Sequence, residues 1–257
     1  MKVVILAGGF GTRLVEETEI KPKPLVEIGG YPILWHIMKH YAFYGFNEFI
    51  IALGYKGELI KKYFMDYLDN RRDIRIDFRT NEVNICENIT EDWSVDLIFT
   101  GAETMTGGRL KRLEDLLRDS GTFMLTYGDG VADVNLPDLL RLHKTLGKTA
   151  TVTAVRPAAR FGGLSLQGDS VEVFIEKPQI GEGWINGGFM VFEPDIFDNV
   201  QDDRTILETD VLESLAAKNR LAGYRHEGFW QCVDTMRDLK LLNRIWEEGS
   251  PPWKLWK

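Results

Sequence analysis

Val3-Val4-Ile5-Leu6-Ala7-Gly8-Gly9-Phe10-Gly11-Thr12-Arg13-Leu14 sets a continuous β-prone apolar run directly against a glycine-rich segment. A strand that is apolar at every position is buried on both faces, as strands of a parallel sheet are. Three glycines follow its carboxyl end, where a ligand can approach the backbone and unpaired N–H groups can point at phosphate oxygens. The segment lacks the Gly-Lys-Ser/Thr ending of a Walker A loop and the Gly-x-Gly-x-x-Gly spacing of a dinucleotide fingerprint. Arg13 adds a fork of donors suited to pyrophosphate oxygens, and Lys21-Pro22-Lys23-Pro24 follows with prolines that stiffen the approach of a lysine. Two cationic groups beside such a loop favour a triphosphate.

Outward from this start, strand and helix alternate. Ile33, Leu34, Ile37, Met38, Tyr41 and Tyr44 fall at helical spacing after Pro32, and residues 49–53 form a second buried strand. A second helical stripe runs through Leu59, Ile60, Tyr63, Phe64, Tyr67 and Leu68. Ile74, Ile76 and Phe78 alternate with Arg75 and Asp77, and residues 97–99 and 123–126 read as further strands. A helix follows Asn135 and Pro137; strands are expected at 149–155, 171–175 and 189–192, and helices at 211–217 and 239–246. The pattern predicts an α/β fold, a Rossmann-like doubly wound, mostly parallel mixed sheet with a β-richer second half. At 257 residues it is read as one domain, 1–257, in two halves of about 1–135 and 136–257.

The formal net charge of −8 argues against binding to nucleic acid or anionic membranes, so any phosphate must be held by local groups. Cys86 and Cys232 show neither metal nor redox spacing, which fits a reducing cytoplasm. The apolar run at 3–7 is too short for a signal-peptide core, and no stretch nears the roughly 20 residues of a membrane span. A cytoplasmic protein is expected. The aromatic tail from Trp253 to Trp256, after Pro251-Pro252, reads as exposed and available to an interface.

With Gly-Gly-x-Gly-Thr-Arg-Leu followed by Lys-Pro-x-Pro, the first 35 residues resemble the sugar-nucleotide pyrophosphorylase family. Glu103-Thr104-Met105-Thr106-Gly107-Gly108-Arg109 and Thr126-Tyr127-Gly128-Asp129-Gly130 resemble its cytidylyltransferase branch, so the similarity runs through most of the chain. One departure is Glu16, where many relatives carry proline. The resemblance implies nucleotide binding by Leu6, Ala7, Gly8, Gly9, Phe10, Gly11, Thr12, Arg13, Lys23, Glu103, Thr104, Arg109 and Gly128, with Arg13 and Lys23 as the catalytic cations. It implies a sugar-phosphate pocket in the second half from Glu176, Lys177 and Asn186.

A nucleotidyl transfer needs a metal to draw charge from phosphate oxygens, and Mg²⁺ is held by one or two carboxylates. Asp129 lies between glycines after a strand, at the edge where open α/β sheets bind ligands. Asp234 reads locally as a helix cap or near-cap, and the resemblance pairs it with Asp129 on the metal. Arg109 reads either as a phosphate or ribose anchor or as a solvated helix residue, and Thr104 as a base or ribose contact or a turn former. The implied reaction joins CTP and glucose 1-phosphate into CDP-glucose and pyrophosphate, with Glu103 or its backbone reading the cytosine amine. A homo-hexamer is implied as well. A Rossmann dehydrogenase lacks its fingerprint here, and a non-catalytic sensor would lack the metal and lysine groups.

Overall fold

The computed structural model describes residues 1–9, 20–71, 73–86, 91–157, 163–167, 170–175 and 183–256. Among the described residues, eight strands form the central sheet: β1 (Lys2–Ala7), β2 (Glu48–Leu53), β3 (Ser94–Phe99), β4 (Phe123–Tyr127), β5 (Ala150–Val155), β6 (Ile185–Asn186), β7 (Met190–Phe192) and β8 (Leu221–His226). Strands β2 and β4 flank β1, both parallel to it, and β3 lies parallel beyond β2. Strand β7 is antiparallel to β4 and to β5, and β8 runs parallel to β5 on its other side. The expected mostly parallel mixed sheet is therefore present, with the order β3-β2-β1-β4 reversing direction at the boundary between β1 and β4. Open α/β sheets bind ligands at such a switch point, outside the carboxyl ends of the strands.

The uninterrupted apolar character of β1 has a direct cause. Val3, Ile5 and Ala7 enter one core cluster, Val4 and Leu6 the other, so each face of the strand is covered. Helix α1 (Ile33–Phe43) packs on the first face, and residues Leu110, Leu113 and Leu117 on the second. Each such side chain fully removed from water contributes about 1.5–3 kcal/mol before entropy is counted. Helix α2 (Gly57–Asp69) is more superficial, burying Gly57 and Ile60. Residues expected to be helical from 211 onward lie in a π-helical turn, Leu207–Leu212, continued by α-helix through Ala217.

One expectation fails. The aromatic tail is not exposed: Trp253 retains 1% of its accessible surface, stacks on Phe229 at 5.3 Å and donates its indole N–H to His36 Nδ1 at 3.4 Å. The last helix, Met236–Glu247, ends at its C-cap Glu248 before Gly249 at φ +86°, and the buried Pro251 starts the return of the chain to the core. The alternating segment is the strand expected, Asp73–Asp77, and it stands apart from the central sheet. Among the described residues it pairs only with Glu82–Cys86 in a ribbon, and Ile74 opposite Ile85 and Ile76 opposite Val83 form one apolar face. These four side chains are 46–61% exposed. An isolated hairpin lacks a second layer to cover such a face.

His36 and His40 are buried residues of α1, and desolvation lowers each imidazole to about 4 against backbone hydrogen bonding that raises it. Both rings are neutral in the folded protein at pH 7 and protonate on unfolding below 6.5, so the unfolded chain takes up more protons. Stability should fall as pH drops from 6.5 towards about 4, by up to roughly 3 kcal/mol per ring. Urea unfolding at several pH values measures this slope, and His40→Gln should flatten it.

Candidate active site

Above the boundary between β1 and β4 lies an open cavity of about 410 Å³, within the range of small-ligand sites. Its wall contains Leu6, Ala7, Gly8, Gly9, Lys23, Glu103, Thr104, Arg109, Gly128, Asp129 and Asp234. Every described candidate from the sequence is thus in the wall except Asn186, whose amide instead donates to the Tyr127 hydroxyl at 3.4 Å. Phe10, Gly11, Thr12, Arg13, Glu176 and Lys177 lie outside the described residues. The wall also includes Pro24, Met105, Thr106 and Tyr127, which sequence reasoning missed. Tyr127 stood inside a motif that was read, one position before Gly128.

Lys23 opens a short 3-10 turn between Pro22 and Pro24, closed by Leu25 N–H donating to Pro22 O at 2.8 Å. Its ammonium donates to Asp129 Oδ2 and Asp234 Oδ1, each at 2.8 Å. The aspartates meet because Gly130–Ala132 and Trp230–Cys232 pair antiparallel, with Gly130 opposite Cys232, and Val233 N–H donates to Asp129 O at 2.9 Å. Asp234 is not the helix cap: Thr235 is, in a reciprocal capping box with Asp238. Gly128 allows the approach of β4 to the site, since a side chain there would meet Leu6 O and Pro24 at 3.1 Å.

Burial alone would lower the Lys23 ammonium, but the two carboxylates outweigh it and hold the group above its usual range. Two carboxylates around one cation leave the trio net negative, a hard-oxygen arrangement that suits a divalent ion. Among the described residues no three carboxylate, histidine or cysteine groups cluster, so phosphate oxygens or water would complete the shell of an ion such as Mg²⁺. Burial and the neighbouring carboxylates push the Cys232 thiol up to about 12.

Arg109 is not solvated. It keeps 5% of its accessible surface and donates to Leu53 O, Thr100 Oγ1, Gly101 O, Gly8 O and Ala102 O at 2.7–3.3 Å. Burial and Arg112 lower its pKa, and among the described residues no carboxylate bonds it. The cavity wall therefore holds an un-neutralised cation whose field favours an anion. Gly8 and Gly54 make room for the guanidinium, since a Cβ at either would come within 2.2–2.5 Å of it. Thr104 is buried, its hydroxyl against Gly101, whereas Glu103 stands exposed at the rim.

The model of the family described as Nucleotidyl transferase matches residues 2–248. The chain is similar to glucose-1-phosphate cytidylyltransferase of Salmonella typhi, 48% identical over 257 residues and covering 100% of both chains. It is 46% identical, with the same coverage, to the probable glucose-1-phosphate cytidylyltransferase of Bacillus subtilis (strain 168). Among solved structures, HddC from Yersinia pseudotuberculosis superposes with a TM-score of 0.69 at 24% identity, covering 95% of this chain and 99% of that one.

Lys23 and a divalent ion would compete for the same two carboxylates. Lys23→Met is expected to tighten Mn²⁺ binding by nucleotide-free protein several-fold in calorimetry at pH 8. An unchanged affinity would mean that lysine and metal do not share the aspartates.

Proposed function

The chain belongs to the nucleotidyl transferase family, and from that premise we propose that it transfers the cytidylyl group of CTP to α-D-glucose 1-phosphate. A phosphate oxygen of the sugar phosphate attacks the α-phosphorus in line. The new P–O bond forms as the bond to the β-phosphate oxygen breaks, giving CDP-glucose and pyrophosphate with no covalent enzyme intermediate. The observation that carries this reading is the convergence of Lys23, Asp129 and Asp234 at the carboxyl ends of β1 and β4.

In this reading the backbone of Gly8, Gly9 and Gly11 cradles the triphosphate, and Arg13 balances the departing pyrophosphate. Lys23 stabilises the charge that grows on the reacting phosphate, an electrostatic role and not that of a base. Asp129 and Asp234 hold Mg²⁺, which supplies neutralisation of phosphate charge when bound. Glu103 and Thr104 face the base and ribose, with the glutamate or its adjoining carbonyls accepting from the cytosine amine. Lys177, Glu176 and Asn186 take the sugar phosphate. Positioning and charge stabilisation then account for the rate, as in phosphoryl transfer generally.

The fold is read as one domain whose halves supply nucleotide and sugar contacts. Among the described residues no helix is long and apolar enough to cross a membrane; soluble phosphorylated substrates favour action in the cytoplasm. A homo-oligomer, of six chains by resemblance, would cover the apolar face of Ile74, Ile76, Val83 and Ile85.

Two measurements test these readings. With glucose 1-phosphate as acceptor, pyrophosphate release is expected from CTP at least tenfold faster than from UTP, ATP, GTP or dTTP; equal use of another nucleotide would remove the base assignment. Light scattering of the intact protein should give a multiple of the 29.4 kDa chain mass, reduced in Ile76→Asp. A monomeric wild type would leave the ribbon face unexplained by self-assembly.

A further inference from the structure

Behind the cavity wall, the π-helical turn Leu207–Leu212 carries a half-buried carboxylate at Glu208. Single π-turns recur near functional sites because they displace one side chain from the regular helical path. Glu208 Oε1 accepts from the Tyr127 hydroxyl at 2.5 Å, and Oε2 accepts from the Thr106 hydroxyl at 2.7 Å. Thr106 Oγ1 in turn accepts from Leu207 N–H at 2.9 Å. Tyr127 and Thr106 both line the cavity; one stands beside Asn186 and the other follows the segment of Glu103 and Thr104.

An ionised carboxylate has no hydrogen to give, so the Tyr127 hydroxyl must donate to Glu208. Its only proton is thereby turned away from the cavity. The phenolic oxygen accepts from the Asn186 amide at 3.4 Å and keeps one lone pair for a ligand. Gly188 lies close to the ring, where a Cβ would meet Tyr127 Cδ2 at 3.2 Å. A phosphate oxygen, which only accepts, gains nothing from such a group. A sugar hydroxyl, which donates, does.

Resting on the reaction proposed above, we infer that Glu208 is a positioning residue that fixes the Tyr127 hydroxyl as an acceptor towards the sugar, so that the enzyme selects a sugar phosphate with a donor hydroxyl at that place. The selectivity then depends on Glu208 as much as on Tyr127. In Glu208→Gln, one of the two hydroxyls must take the amide N–H; Leu207 N–H already occupies a lone pair of Thr106, which favours Thr106 as the donor to the glutamine oxygen. The amide N–H falls on Tyr127 instead, and the tyrosine proton is released towards the cavity, which reverses the polarity of the contact.

The test compares kcat/KM for glucose 1-phosphate and for analogues in which each sugar hydroxyl is replaced in turn by fluorine, which cannot donate. In the wild type one position should show a fluorine penalty of about tenfold, the order of one unmade hydrogen bond. In Glu208→Gln that penalty should shrink to within about twofold, with the change in KM for the sugar phosphate and not in KM for CTP. Tyr127→Phe removes the hydroxyl without touching the charge and should lose the penalty at the same position, which keeps the comparison available if the glutamine variant folds poorly. A uniform fall across all the sugars, or a fluorine pattern unchanged in both variants, would overturn the inference while leaving the reaction intact. No wild-type turnover of CTP with the unmodified sugar phosphate would remove the reaction, and this inference with it.

Discussion

One guanidinium ties together the carboxyl ends of three parallel strands. Arg109 bonds Gly8 beyond β1, Leu53 at the end of β2, and Thr100, Gly101 and Ala102 beyond β3. Parallel strands end in loops whose carbonyls have no partner in the sheet, and a buried carbonyl left unbonded costs roughly 1–3 kcal/mol. Five donors in a planar fork answer several of these at once. The cost is a buried charge, and it dictates sequence elsewhere: Gly8 and Gly54 have no side chain because the fork lies where a Cβ would stand. Gly101, at φ +92°, turns the chain back beneath it with Thr104 Oγ1 where a Cβ would go.

This arrangement sets the electrostatics of the cavity. Arg109 contributes a positive charge with no carboxylate among its bonds, while Lys23 is already held by two. The two cations therefore differ in kind. Arg109 is a fixed part of the wall, and its bonds to protein carbonyls leave its field, but few of its hydrogens, to a ligand. Lys23 sits on a flexible four-carbon stem whose partners a divalent ion would also seek, so metal entry and lysine movement are coupled.

How much of this was legible follows from the range of each interaction. The strand at 3–7 and the helix after Pro32 were readable because burial on both faces, or on one stripe, leaves a periodic trace in neighbouring residues. The cavity wall was largely readable because it lies at the ends of those strands. The meeting of Asp129 and Asp234 was legible only through the family resemblance and not from the local residues, since it depends on a three-residue antiparallel pairing between segments about a hundred residues apart. Trp253 was misread for a similar reason: its partners His36 and Phe229 are remote, so a buried tail looks locally like an exposed one. Ile74 and Ile76 carry the alternation of a half-buried strand, and nothing local says whether the covering layer belongs to the same chain. Glu208 left no trace, because a glutamate in a helical stretch reads as solvated surface.

Asn186 reaches the neighbourhood of the site through an irregularity in the sheet. Strands β6 and β7 are two pieces of one antiparallel path along β5, and the register moves by two residues across Gly187-Gly188-Phe189, from Ala154 opposite Asn186 to Thr151 opposite Val191. Phe189 there adopts φ +46°, a conformation costing a non-glycine residue about 1 kcal/mol or more. Local bonds and packing offset it: the Thr153 hydroxyl donates to Phe189 O at 2.7 Å, Gly187 N–H donates to Thr153 O at 2.8 Å, and the phenyl ring stacks on Tyr41 at 5.9 Å. A regular strand would have carried Asn186 along the sheet to a different register. The two-residue shift instead leaves it beside Tyr127, so the strained turn is what sets Asn186 against a residue of the cavity wall.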